Sequence, residues 1–280
     1  MKDKVVVITG ATSGIGQVAA QRLAAMGARM VLVARDQSRG EATMAKLRAA
    51  GPGVNHTIHY ADLSSIADTK RVAATIAAAE PRIDVLINNA GALFGKRKET
   101  ADGLEMTFAT NHMGYWIMTH GLRERLVASK PARVVSTASD AHKGMTLNFD
   151  DLQAAKGYSS FKAYGRSKLC NILFTRALAR RTAKAGVTAN CLHPGFVATR
   201  FGDNSGGFIG SVVGIAKQLF AISEEKGAET IVYLASSPEV AEVNGGYFYK
   251  CRPATPTAAA QNDADGERLW DITKKLAGIA

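Results

Sequence analysis

Cysteine, long apolar runs and negative charge are all scarce in this chain of 280 residues. Only Cys170, Cys191 and Cys251 occur. Scattered and odd in number, they make neither a disulfide framework nor a CxxC metal pair, which fits a reducing compartment. No stretch of eighteen or more apolar residues appears, so no membrane span is expected. The N-terminus, MKDKVVVITG, enters an apolar strand within four residues and leaves no room for a signal or transit peptide. The cytoplasm is therefore the expected compartment. His56 and His59 lie three apart in an alternating stretch, VNHTIHY, which puts them on opposite faces, and no metal site is expected.

Acidic residues number 24 against 35 basic ones, giving a net charge of +11. Such an excess admits nucleic acid, an anionic membrane surface or a phosphorylated small molecule as partner, or serves only solubility. The densest basic runs are Lys96-Arg97-Lys98 and Arg180-Arg181 with Lys184. Neither carries interleaved aromatics on which bases could stack, so no nucleic-acid partner is expected.

Two textures alternate through the first 200 residues. The β-branched runs are 5–9, 30–34, 54–60, 83–88, 133–138 and 187–193. Between them lie Ala-rich segments of helical period, such as QVAAQRLAAMGA and SSIADTKRVAATIAAAE. Continuous apolar strands alternating with helices predict a parallel sheet covered on both faces, a doubly wound α/β architecture. Gly27 and Gly51 are placed to end helices, and Ser64 and Ser65 to start one. No repeat or linker divides the chain, so one domain over 1–280 is expected. Residues 253–266 look loose, with a short helix after them.

The run VVVIT leads into TGATSGIG and then a helix. Glycines there would let the backbone approach a pyrophosphate, and the helix N-terminus would present free N–H groups to it. The spacing of Gly10, Gly14 and Gly16 is not the usual G-x-G-x-x-G, and a tight turn without ligand is the alternative. At the end of the second strand an acid would select NAD by its ribose hydroxyl. This chain has Ala34 there and Arg35 next, which matches a 2′-phosphate and favours NADP(H) over NAD(H). Arg35 could instead pair with Asp36 or stay solvated.

Further along, Tyr164 stands four residues before Lys168 in FKAYGRSKLC. Alone, that spacing is either one solvated helix face or a phenol and an ammonium placed together to move a proton. In chain order the sequence shows TGATSGIG, Asn88-Asn89-Ala90-Gly91, Asn111, a strand ending near Ser139, Tyr164 with Lys168, and Pro194-Gly195. This set resembles the short-chain dehydrogenase/reductase family over nearly the whole chain, and most its retinol-dehydrogenase-like branch. Branch members are often anchored to a membrane by an N-terminal segment, and none is visible here. Ser136-Thr137-Ala138 replaces the branch's usual Asn-Val-Ser, so Ser139 is chosen over Ser136 by its place at the strand end.

The resemblance implies a Rossmann-type fold and roles for named residues. Tyr164 would be the general acid or base, its pKa drawn down from about 10 by Lys168 one helical turn away. Lys168 would also hold the nicotinamide ribose, Ser139 the substrate oxygen, and Asn111 a relay water. Gly10, Ser13, Gly14, Ile15 and Gly16 would bind the pyrophosphate; Asp62 and Leu63 the adenine; Asn89, Ala90 and Gly91 the ribose wall. Pro194, Gly195, Val197 and Thr199 would grip the carboxamide. His142 and His193 have no role in this scheme and read as structural. The family's common homodimer or homotetramer is expected.

Residues 206–222 carry a single charge, Lys217, and follow Thr199. A substrate lid spanning about 200–226 is expected; a dimer contact or a membrane-surface helix is the alternative. Its apolar character implies a hydrophobic carbonyl or alcohol as substrate. The rival function is a non-catalytic NADP(H)-binding redox sensor or interaction protein.

Overall fold

Each face of the sheet is greasy because the strands are greasy at every position. In β1 (Val5–Thr9) the side chains alternate between two cores: Val5 and Val7 join one, Val6 and Ile8 the other. Strand β2 (Arg29–Ala34) repeats this, sending Val31 and Val33 one way and Met30 and Leu32 the other. Full burial of one such side chain contributes about 1.5–3 kcal/mol, so the helices are held on both faces by many equal, non-directional contacts.

The computed structural model describes residues 1–195 and 222–279. Its eight strands lie in the order β3-β2-β1-β4-β5-β6-β7-β8. The remaining ones are β3 (Thr57–Tyr60), β4 (Val85–Asn88), β5 (Ala132–Thr137), β6 (Val187–Leu192), β7 (Tyr247–Tyr249) and β8 (Arg252–Pro253). All neighbours are parallel except β7 and β8. The doubly wound α/β expectation is met. Strand order reverses between β1 and β4, and the crevice at the C-terminal ends of those strands is where such sheets bind ligands.

Helices α1 (Gly14–Ala25), α2 (Gln37–Ala50) and α3 (Ile66–Ala79) fill the first crossovers. Asp36 caps α2, accepting from the Arg39 N–H at 2.8 Å, and Ser65 caps α3 through the Asp68 N–H at 3.3 Å. Next come α4 (Met106–Phe108), a π-helical turn (Ala109–Met113), α5 (Gly114–Gly121) and α6 (Arg123–Ala128). The long α7 (Ser160–Thr182) precedes β6, and α8 (Glu224–Ser236) and α9 (Asp263–Leu276) complete the fold.

Two expectations shift. The third strand starts at Thr57 rather than residue 54, because the His56 ring accepts the Met30 N–H at 3.1 Å and leaves the ladder. The stretch 253–266 is not loose throughout. Asn262 accepts the Asp265 N–H at 3.2 Å and starts α9, which packs along α7. The expected lid falls outside the described residues apart from its last positions, where Ser223 caps α8.

Candidate active site

Two loops meet at the switch point, and they are stitched together. The Thr9 hydroxyl accepts the N–H groups of Asn89 and Ala90 at 3.0 and 3.1 Å. In return the Asn89 amide donates to the carbonyls of Thr9 and Gly10 at 3.2 and 3.0 Å. Gly10 is required by this closeness. Its φ is +68°, and a Cβ there would stand 2.6 Å from the Ala90 Cα. Gly16 is equally tight, with the Asn89 amide 2.3 Å from where its Cβ would be.

Beyond the stitch, Ser13 is exposed at the N-cap of α1, and its hydroxyl caps nothing. Gly14, Ile15 and Gly16 form the first turn of that helix. The first N–H groups of α1 thus face the crevice beside an uncommitted hydroxyl, an arrangement suited to an anion. Arg35 is exposed at the end of β2. Asp36 is occupied as the α2 cap, and no ion pair joins it to Arg35 among the described residues.

Asp62 follows β3 and turns its carboxylate onto the Ser64 N–H and hydroxyl at 2.9 and 2.8 Å. The Leu63 side chain beside it is buried.

A second cluster of expected site residues lies between β5 and α7. Gly165 lets α7 press against the turn after β5; a Cβ there would meet the Ala141 carbonyl at 2.5 Å. This approach sets Ser139 beside Tyr164, and the two side chains are hydrogen bonded. Ser136 is fully buried inside β5 with its hydroxyl unpartnered, away from that contact. His142 supports the turn: its Nε2 accepts the Thr257 N–H at 3.3 Å, so its Nδ1–H donates to the Ser139 carbonyl at 2.7 Å. Burial lowers the His142 pKa, consistent with this neutral tautomer.

Lys168 is 3 % exposed and donates to the Thr137 carbonyl at 2.9 Å. Its ammonium stands 5.5 Å from the centroid of the Tyr164 ring and 5.7 Å from that of Tyr115. Burial draws Lys168 down to about 7. Burial also pushes Tyr164 up to about 12, against the opposing pull of the Ser139 hydrogen bond.

Asn111 lies in the π-helical turn, a feature common at functional sites. Its amide accepts the Ala92 N–H at 2.8 Å and donates to the Ala92 carbonyl and the Ser167 hydroxyl, both at 3.0 Å. Both amide hydrogens are therefore used. Gly91 lies between Asn111 and Lys168, each 3.4 Å from where its Cβ would stand. Pro194 and Gly195 follow β6, whereas Val197 and Thr199 lie outside the described residues.

The model for short chain dehydrogenases matches residues 4–206. The chain belongs to this family. Mouse retinol dehydrogenase 14 is 38 % identical, over 100 % of this chain and 87 % of its own. Mouse retinol dehydrogenase 12 is 39 % identical, over 99 % and 87 %. The Pseudomonas aeruginosa RhlG/NADP active-site complex is similar at 26 % identity, with a TM-score of 0.70 over 89 % of this chain and 94 % of that one.

As a short-chain dehydrogenase the chain is an oxidoreductase of a family that uses nicotinamide cofactors. The rival expectation of a non-catalytic redox sensor gains no support from these relatives. A nicotinamide dinucleotide fits the crevice on its own geometry: an open helix N-terminus, glycines that bring the backbone close, and a buried lysine beside Gly91. Sequence reasoning missed Thr9, Ser167 and the Thr137 carbonyl. Threonine in TGATSGIG and serine in YGRSK were visible as polar residues inside the motifs; a main-chain carbonyl leaves no mark in a sequence.

Proposed function

We propose that the chain is an NADP(H)-dependent dehydrogenase that interconverts a carbonyl and an alcohol on a largely apolar substrate. Tyr164 is its proton donor or acceptor. The carrying observation is the Ser139–Tyr164 hydrogen bond with the Lys168 ammonium 5.5 Å from the phenol ring. When bound, the nicotinamide supplies or receives the hydride. Ser139 turns its hydroxyl onto the substrate oxygen and fixes its position. Tyr164 gives its proton to that oxygen in reduction and takes it back in oxidation. Lys168 is kept beneath the ring by its Thr137 bond. Burial raises Tyr164 to about 12, where a phenol drawn down by Lys168 was expected. Only the protonated form of Lys168, a minority above pH 7, favours the phenolate.

Gly10, Ser13 and the first turn of α1 hold the pyrophosphate. Asp62 and Leu63 bound the adenine, and Asn89, Ala90 and Gly91 the ribose. Pro194 and Gly195 border the nicotinamide, with Val197 and Thr199 assigned there from the family motif. Arg35 is free to meet a 2′-phosphate, which supports NADP(H). The two relatives are named for retinol, which supports a long apolar alcohol or aldehyde as the substrate class. The expectation of a homo-oligomer rests on the family resemblance. Among the described residues no helix is long and apolar enough to cross a membrane.

The test is NADPH oxidation with retinal and with straight-chain aldehydes, in the parent and in Tyr164→Phe. The variant should lose turnover by about 10²–10⁴-fold while its NADPH Kd changes little. Turnover within tenfold of the parent would remove Tyr164 from proton transfer.

A further inference from the structure

A second cavity, of about 510 Å³, opens on the other side of α5 from Lys168. That is within the range of small-molecule sites, roughly 300–1,000 Å³. Its walls come from α5, α6, the end of α7 and α9, and its floor reaches Val134 of β5 and Val187 of β6. None of its lining residues belongs to the candidate active site. The dividing line runs between neighbours: Tyr115 faces Lys168, and Trp116 lines the cavity.

Three observations describe what the cavity would hold. Its depth is apolar, with buried Leu126, Leu178 and Val187 against Trp116 and Trp270. Trp116 stands edge-on to Trp270 with ring centroids 5.5 Å apart, so the two indoles make one continuous aromatic wall. The mouth is cationic. Arg123 and Lys274 line it, and neither has an ion-pair partner among the described residues. Arg181 is there too, but it is committed to Glu267 and lies over the Trp270 ring. Asp271 is the single acid in the lining. The field is felt by His120 at the mouth, whose pKa is lowered by burial and then by Arg123, Lys274 and Lys70.

We infer that this cavity is a binding site for a single-chain anionic amphiphile, a long-chain carboxylate that lays its tail against Leu126, Leu178 and Val187 beside the paired tryptophans and leaves its head at Arg123 and Lys274. Charge complementarity selects this occupant over a second copy of the chain. A two-fold contact would set the same basic mouth against itself, and like charges would oppose.

The chain has two tryptophans, and both line this cavity, so intrinsic fluorescence reports on it directly. Dodecanoate, titrated below its micelle-forming concentration into the full chain, should give a saturable change in tryptophan emission. Dodecanol should bind at least tenfold more weakly, and rising salt should weaken dodecanoate alone. The pair Arg123→Ala with Lys274→Ala, one exposed and one half-buried, should raise the dodecanoate Kd at least tenfold and leave NADPH-dependent turnover at the parent value. The site is refuted by an absent or non-saturable signal, by equal binding of dodecanol, or by unchanged Kd in the double variant. A response seen only with phosphatidylglycerol vesicles would assign the patch to a membrane surface instead. An emission change that follows protein concentration without dodecanoate would assign it to a second copy.

Discussion

Lys168 places its ammonium 2.9 Å from the main-chain carbonyl of Thr137, under the ring of Tyr164 and almost wholly out of water. A charge held this way is costly to the fold, and the sign is measurable. Burial lowers its pKa from 10.5 to about 7. Between those values the unfolded chain carries a proton that the folded one lacks, so stability rises with pH across the window. Below pH 7 both states hold the proton and the whole cost is present. Lys168→Met should therefore raise Tm most below pH 7, and the gain should shrink towards pH 10. The gross effect is on the order of 5 kcal/mol, reduced by about 1.5–3 kcal/mol for the lost bond from the ammonium to Thr137. Thermal melts from pH 6 to 10 decide this; a pH-independent Tm difference would contradict the assignment.

The Ser139 hydroxyl favours the Tyr164 phenolate, whereas burial favours the phenol and dominates. Reduction needs the protonated form, which is present throughout neutral pH, so its rate should stay flat from pH 7 to 9. Oxidation needs the phenolate and should climb with pH over the same range. Removing the hydroxyl in Ser139→Ala should move the oxidation profile further alkaline and lower kcat by roughly tenfold or more. Profiles of kcat/KM in both directions test this, and superimposable profiles for parent and variant would detach Ser139 from the phenol.

Gly10 is held at φ +68° with Ala90 against it. Gly10→Ala should destabilise the fold by roughly 2–3 kcal/mol, since a left-handed backbone and a backbone clash are imposed together. Denaturant melts would register that loss, and NADPH titration should show a weakened Kd. A variant with parent stability and affinity would mean that the stitched loops tolerate separation.

Arg35 is exposed and unpaired with Asp36, which caps α2. Arg35→Asp should reverse the selectivity ratio of NADPH over NADH by 10- to 100-fold, mainly through the KM for NADPH. An unchanged ratio would take the 2′-phosphate away from Arg35.

Much of this was legible before any coordinates. Parallel strands covered on both faces must be apolar at consecutive positions, and VVVIT and MVLVA announce themselves for that reason. Tyr164, Lys168 and the glycine loop were readable because their chemistry fixes both residue type and spacing. What stayed hidden depends on the fold. Strand β7 is three residues long and is a strand because β6 and β8 lie on either side of it. Residue 54 is out of β3 because the His56 ring, brought in by the fold, takes the Met30 N–H. The start of α9 was readable in hindsight: Asn262 followed by Asp263 and Asp265 is an N-cap with acids in the first turn. Lys168 reads in sequence as a charge one helical turn from a phenol. Its neutralising burial comes from Tyr115 and Thr137, distant in the chain.

The knot between Thr9 and Asn89 has a thermodynamic meaning of its own. Four hydrogen bonds fix the two sides of the switch-point crevice to each other within the protein itself. The floor on which a dinucleotide would lie is thus rigid before anything arrives, and little conformational entropy is left to lose on association. Such a surface behaves as a preformed lock: its occupancy is governed by how fast a ligand escapes, and shapes that do not match its contour are turned away at first contact.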